Sequence, residues 1–162
     1  MSRFIATAFG VGYLRPAPGT WGSLAALPLF WALHVLGGPL VCVAAVVVVT
    51  LLGWWAVGAA TTGAEDPDRS EYVIDEVAGM WIALMPLSFG AASNGVDLLA
   101  LWPGWIAAFL GFRLFDIWKP GPIGWADRRK TALGVMLDDV FAGIAAGIVV
   151  LALAAFWHIV VM

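Results

Sequence analysis

Residues 40–60 read LVCVAAVVVVTLLGWWAVGAA, twenty-one positions without a charge. At 1.5 Å per residue such a run, wound as a helix, is about as long as the hydrocarbon core of a bilayer is thick, so it is predicted to cross a membrane. Upstream, Gly37-Gly38-Pro39 separates it from another apolar run, Ser23 to Leu36; these are turn formers that a helix interior avoids, so the two runs are predicted to form a hairpin. Downstream, the polar stretch 65–71 must sit in water. Three further apolar runs follow: from Asp75-Glu76 through Leu87, from Leu98 to Phe115 with a stop at Lys119-Pro120-Gly121-Pro122, and from about Met136 to His158. Pro28, Pro86 and Pro103 interrupt three of the runs, which are therefore expected to tilt or to span only in part. The alternation of a β-barrel is absent. The fold class is thus all-α, a small polytopic bundle of about five membrane helices, with residues 1–162 forming one membrane-embedded domain.

Composition agrees. Of 162 residues, 62% are hydrophobic and 12% charged, against about 45–50% and ~25% in ordinary soluble domains, and the mean hydropathy is +0.94. A net charge of −3 does not suit a nucleic-acid binder, which shows a basic face. Cys42 is the only cysteine, so neither a disulfide framework nor a thiolate zinc cluster is available. The start, Met1 to Arg15, lacks the cleavage site of a signal peptide and is expected to remain in the mature protein. Threading five crossings through the runs puts all eight basic residues (Arg3, Arg15, Arg69, Arg113, Lys119, Arg128, Arg129 and Lys130) on one side, with every acid except Asp97. Because Lys and Arg mark cytoplasmic loops, that side and the N-terminus are expected in the cytoplasm.

Asp75, Glu76, Arg113, Asp116, Asp138 and Asp139 stand at or just inside the cytoplasmic ends of apolar helices. An ionisable group at membrane depth costs about 2.5–3.5 kcal/mol even on lenient insertion scales, and such groups usually face a bundle interior with a partner. An acid at a helix start can simply be a cap. Two adjacent pairs, Asp75-Glu76 and Asp138-Asp139, exceed that need, because a cap takes one side chain and neighbouring like charges repel. Asp75 shares a helical stripe with Gly79 and Ala83, and Asp139 with Gly143 and Gly147. Small residues let membrane helices approach closely, so if these stripes meet, the acids converge. Ala142 and Ala146 make an equally small stripe below Asp138, which leaves open whether Asp138 or Asp139 points inward. Arg113, Asp116 and Lys119 recur at spacing three; this fits either an intrahelical ion pair or an anion site beside carboxylates.

Converging carboxylates without His or Cys suit a hard cation with oxygen ligands, Mg²⁺ above all, commonly shared with substrate phosphate. Arg113 and Lys119 suit phosphate oxygens. Together they point to phosphoryl chemistry on a lipid, in which a carboxylate either takes the proton of water or attacks directly. His34, His158 and Cys42 fall near the other side and read as packing or interfacial residues. The segment Gly10 to Ser23 is a glycine-rich turn feeding a helix, where backbone N–H groups can hold an anion, with Thr20 or Ser23 as cap or ligand.

Four ordered blocks then resemble the signatures of the phosphatidylglycerophosphatase A family: PGTWGS (18–23), IDEVAGMW (74–81), FRLFDIWKP (112–120) followed by Pro122-Ile123, and GVMLDDVFAG (134–143). The resemblance runs from about Gly10 to Gly147. It implies a bacterial inner-membrane, Mg²⁺-dependent phosphatase, active site toward the cytoplasm, that converts phosphatidylglycerophosphate to phosphatidylglycerol and inorganic phosphate. It carries function onto Asp75, Glu76, Arg113, Asp116, Lys119, Asp127, Asp138 and Asp139. In this reading Asp75, Glu76 and Asp138 or Asp139 hold Mg²⁺; Arg113 and Lys119, with Thr20 and Ser23, bind the phosphate; Asp116 is a further ligand or the general base, and Asp138 and Asp139 belong to the catalytic set. Arg15-Pro16 and Thr131-Ala132 depart from the family's pattern and bear on loop geometry. Substrate and membrane lipids are the expected partners, without nucleic acid. A second reading is a small ion-coupled transporter using intramembrane carboxylates; against it stand the lack of an internal repeat and the crowding of the acids at one face.

Overall fold

The computed structural model describes residues 1–62 and 69–160. Its elements are all helical: α1 (Ser2–Ala6), α2 (Pro18–Ala60), α3 (Ile74–Asn94), α4 (Trp102–Trp118), α5 (Pro122–Asp127) and α6 (Ala132–Val160), with 3₁₀ turns at Val11–Tyr13 and Leu98–Leu101. No strand occurs among the described residues. Within the polar stretch 65–71, residues 65–68 lie outside the described residues.

Four helices are long and apolar enough to cross a membrane, where the sequence predicts five. The difference lies in α2. Its 43 residues would run about 65 Å if straight, yet Gly22 packs on Val73 while Gly53 packs on Ile74, its neighbour in the chain. His34 and Cys42 likewise meet at one residue, Ser88. Both pairs are centred near position 38, so α2 doubles back there into two antiparallel limbs. Gly37 and Gly38 leave the helical region, and Gly38 has φ +66, a conformation that favours glycine. The predicted hairpin is present, with only Gly37 and Gly38 outside helical geometry between its limbs.

Helix starts differ from expectation by about one turn. Pro18 opens α2 five residues before Ser23, as a proline in a first turn can, lacking an N–H that would have no partner there. Thr131 caps α6, its Oγ1 accepting from the Gly134 N–H at 3.0 Å, so this helix begins at Ala132 rather than near Met136. Beyond the predicted end of the fourth run at Phe115 the chain stays mostly helical: α4 continues to Trp118, and α5 follows from Pro122. Pro28 and Pro86 sit inside α2 and α3, whereas Pro103 lies in the first turn of α4.

α3 forms the centre, with Ala78, Met80, Ala83 and Leu84 fully buried. Both limbs of α2, together with α4 and α6, surround it. Indole N–H groups tie down backbone carbonyls, Trp81 to Ala26 at 2.9 Å and Trp105 to Leu98 at 3.0 Å, as buried polar groups must find partners. Val48, Leu51, Leu110, Ile148 and Leu151 project outward from their helices, the apolar exterior that a bilayer, unlike water, accepts without penalty.

Candidate active site

The small-residue stripes meet. A Cβ on Gly143 would press on the backbone of Gly79, and one on Gly79 would press on the Asp139 carbonyl oxygen and the Phe112 ring. Hydrogen in place of a side chain therefore sets the α3–α6 separation. It also brings the backbone of Asp139 beside α3 one turn below Asp75. Ligand oxygens of Asp75, Glu76 and Asp139 all lie within 4.8 Å of one another. Asp75 and Asp139 are 7% and 3% exposed.

Capping does not explain these acids. Asp75 lies inside α3, whose N-cap, Val73, has no side-chain cap bond. Asp138 and Asp139 stand in the second turn of α6, past its capped end. Each pair binds itself locally instead: Asp75 Oδ1 accepts from the Glu76 N–H and Asp138 Oδ1 from the Asp139 N–H, both at 3.0 Å. Glu76 Oε2 is buried without a hydrogen-bond partner. An orphaned carboxylate oxygen in a cluster of like charge is costly. Oxygen donors from three carboxylates facing one point fit a hard divalent cation, which would satisfy that atom and neutralise its neighbours.

Around this trio stand two cations. Arg113 Nη1 donates to Asp116 Oδ2 at 2.6 Å across one turn of α4, with both side chains largely shielded, so the intrahelical pair exists and also faces the cluster: Asp116 lies within electrostatic reach of Glu76 and Asp139. A Cβ on Gly19 would strike Glu76 Oε1 and approach Arg113 Nη1. The first turn of α2 therefore presses its backbone against the site, a role for Gly19 that the sequence reading missed although Pro18-Gly19-Thr20 was in view. Thr20 is half-buried in the same turn. Ser23 is fully buried and its hydroxyl donates to the Gly19 carbonyl at 2.9 Å, within its own helix.

Lys119 does not stack on Asp116 as spacing three would have it. The helix ends at Trp118, and Lys119, with φ +50, turns its chain left-handed, a conformation that costs a residue with a Cβ about 1–2 kcal/mol. Its ammonium then donates to Asp127 at the end of α5 and to Asp138 Oδ2 at 2.7 Å. Burial opposes the charge, but these hydrogen bonds and the charges of Asp127 and Asp138 outweigh it and hold Lys119 above the ordinary lysine value. The alternative left open by the two stripes is thereby divided: Asp139 joins Asp75 and Glu76, and Asp138 faces Lys119.

Known proteins resemble this chain along most of its length. The family model of phosphatidylglycerophosphatase A matches residues 4–154. The chain belongs to this family. A phosphatidylglycerophosphatase A of Haemophilus influenzae is 38% identical over 150 residues, covering 92% of this chain and 86% of the relative. One of Escherichia coli is 37% identical over 147 residues, covering 89% and 78%. No solved structure matches the chain. A phosphatidylglycerophosphatase is a phosphoric monoester hydrolase, and family membership makes this chain an enzyme of that class; the transporter reading finds no support in it. The long apolar helices are compatible with a membrane protein, and the named relatives are bacterial.

Proposed function

We propose that the protein is a Mg²⁺-dependent phosphatase that converts phosphatidylglycerophosphate to phosphatidylglycerol and inorganic phosphate at the cytoplasmic leaflet of the bacterial inner membrane. The substrate is the one that the names of the Haemophilus and Escherichia relatives state. The observation that carries the metal is the trio Asp75, Glu76 and Asp139 with its orphaned Glu76 Oε2. These three residues would hold the ion, which when bound supplies positive charge for the phosphate oxygens.

The chain's own groups supply the rest. Arg113 spends Nη1 on Asp116 and keeps other donors of its planar fork for phosphate. The amides of the first turn of α2 offer further donors, favoured for an anion by the helix dipole. Asp116, fixed by Arg113, takes a proton from the attacking water as its oxygen bonds to phosphorus; the ester P–O bond breaks and the departing glycerol oxygen takes that proton back from Asp116, which regenerates the carboxylate. Glu76, Asp116 and Asp139 all stand in a largely water-excluded cluster, where fixed charges act more strongly than in solvent.

The orientation rests on Lys and Arg. Arg3, Arg15, Arg69, Arg113, Lys119 and Arg128 through Lys130 belong to the helix ends and connections at the acid cluster, whereas the Gly37–Gly38 turn and the end of α3 carry none. Five crossings, counting each limb of α2, join those two faces. Phosphate release from detergent-dispersed phosphatidylglycerophosphate tests the proposal. It should require Mg²⁺, stop with a chelator, and collapse in Asp139→Asn; release indifferent to both treatments would overturn it.

A further inference from the structure

Six carboxylates crowd this end of the bundle, from Asp75, Glu76, Asp116, Asp127, Asp138 and Asp139, and two cations, Arg113 and Lys119, pair with three of them. Asp138 and Asp139 are neighbours on one helix, and both are buried, at 6% and 3% exposed. Asp138 also feels the charges of Asp75 and Asp116. What holds its carboxylate away from the trio is the Lys119 ammonium, bonded at once to Asp138 and Asp127. The backbone around Lys119 is shaped for this. Its N–H still closes the last turn of α4 on the Phe115 carbonyl at 2.8 Å. Gly124 of α5 packs against its carbonyl oxygen so closely that a Cβ there would collide. Lys119 thus fastens the ends of α4 and α5 to the second turn of α6.

We propose that Lys119 is a positioning residue rather than a phosphate ligand: by gripping Asp127 and Asp138 it fixes the rotation of α6 that presents Asp139, and not Asp138, to Asp75 and Glu76. This inference rests on the reading of the trio as the Mg²⁺ site. A residue that grips phosphate has donors facing the substrate, whereas two donors of this ammonium are committed to carboxylates, one of them almost wholly buried. Removing the ammonium leaves Asp138 buried and unpaired, free to crowd the trio. Removing the carboxylate as well relieves that conflict.

The experiment is a double-mutant cycle with two readouts, Mg²⁺-dependent phosphate release and binding of Mn²⁺, a paramagnetic stand-in, to the detergent-solubilised protein followed by electron paramagnetic resonance. Lys119→Met should weaken Mn²⁺ binding and raise the half-saturating Mg²⁺ about 10–100-fold, the size of effect that groups supporting a metal site from outside its ligand set have. The KM for lipid phosphate should change less than threefold. Lys119→Met with Asp138→Asn should recover most of the Mn²⁺ affinity, and Lys119→Arg should retain it, which separates positioning from a failure to fold. A rise in KM with unaltered Mn²⁺ affinity, or a double variant no better than Lys119→Met, would overturn the inference. If the wild type binds no Mn²⁺ and shows no Mg²⁺ dependence, it is the metal reading itself that fails.

Discussion

Among the described residues, a buried polar cluster stands at each end of the bundle, and the two follow opposite rules. At the turn end, His34 Nδ1 meets Ser88 Oγ at 2.7 Å, and that hydroxyl reaches Cys42 Sγ at 3.8 Å. Ser88 and Cys42 are fully buried, and each partner is neutral or able to be so, which makes the cluster an internally satisfied clasp between both limbs of α2 and α3. At the other end the acids outnumber their cations, and Glu76 Oε2 has no partner. Satisfied polar groups stabilise a fold; an excess of one charge held in place by packing marks a candidate functional site.

The sharpest way to break this contrast is to disarm the unsatisfied end. Asp139→Asn should lower phosphate release by about 10²-fold or more, beyond the loss seen for groups that only support a metal ligand, while the thermal unfolding midpoint holds or rises, since one of several crowded charges is gone; a fall in both would place Asp139 with the structural cluster. Glu76→Gln comes next: half-saturating Mg²⁺ should rise by about 100-fold or more, read from metal titrations of activity. Gly143→Val then tests the approach that assembles the trio. Its side chain would enter the Gly79 backbone, costing about 1–3 kcal/mol of stability and separating Asp139 from Asp75, so Mn²⁺ binding should weaken along with the unfolding midpoint. Ser88→Ala should do the reverse of Asp139→Asn, costing about 1–3 kcal/mol in unfolding with kcat within about twofold of wild type, because no charge near the trio changes.

The smallest expected effect concerns pH. The folded-state value of Lys119 is raised, so the stability it confers is fully present below the ordinary 10.5 and is lost only as pH climbs through the raised value. Between pH 6 and 9 the ammonium is constant. Lys119→Arg should therefore leave the shape of the activity profile in that window unchanged; loss of a wild-type inflection there would show that Lys119 gives up its proton during turnover.

Much of this was legible beforehand, for identifiable reasons. Apolar runs of bilayer length announce their helices, and Gly37-Gly38-Pro39 announces the hairpin, because hydrophobic burial and backbone sterics are local properties of a sequence. Paired acids at Asp75-Glu76 and Asp138-Asp139 stood out because membrane depth makes each charge expensive. The Gly79 and Gly143 stripes were legible as surfaces on which helices could meet, and in the structure they do meet. The early starts of α2 and α6 were signalled by Pro18 and Thr131, though apolar periodicity outweighed them. α5 was hidden because six residues are too few to show a period. Lys119 read as a partner of Asp116 because spacing three presumes a helix that ends one residue too soon.

By itself, then, the sequence determined how many apolar segments exist, where charge interrupts them and which side chains pay for being there, all consequences of composition taken a few residues at a time. Only the tertiary structure decided between Asp138 and Asp139, assigned Lys119 to Asp127 and Asp138, and set Gly19 against Glu76. Those outcomes depend on the rotation and separation of helices remote in the chain. That geometry is fixed by contacts such as Gly79 on Gly143 and by electrostatic competition among charges that no local spacing brings together.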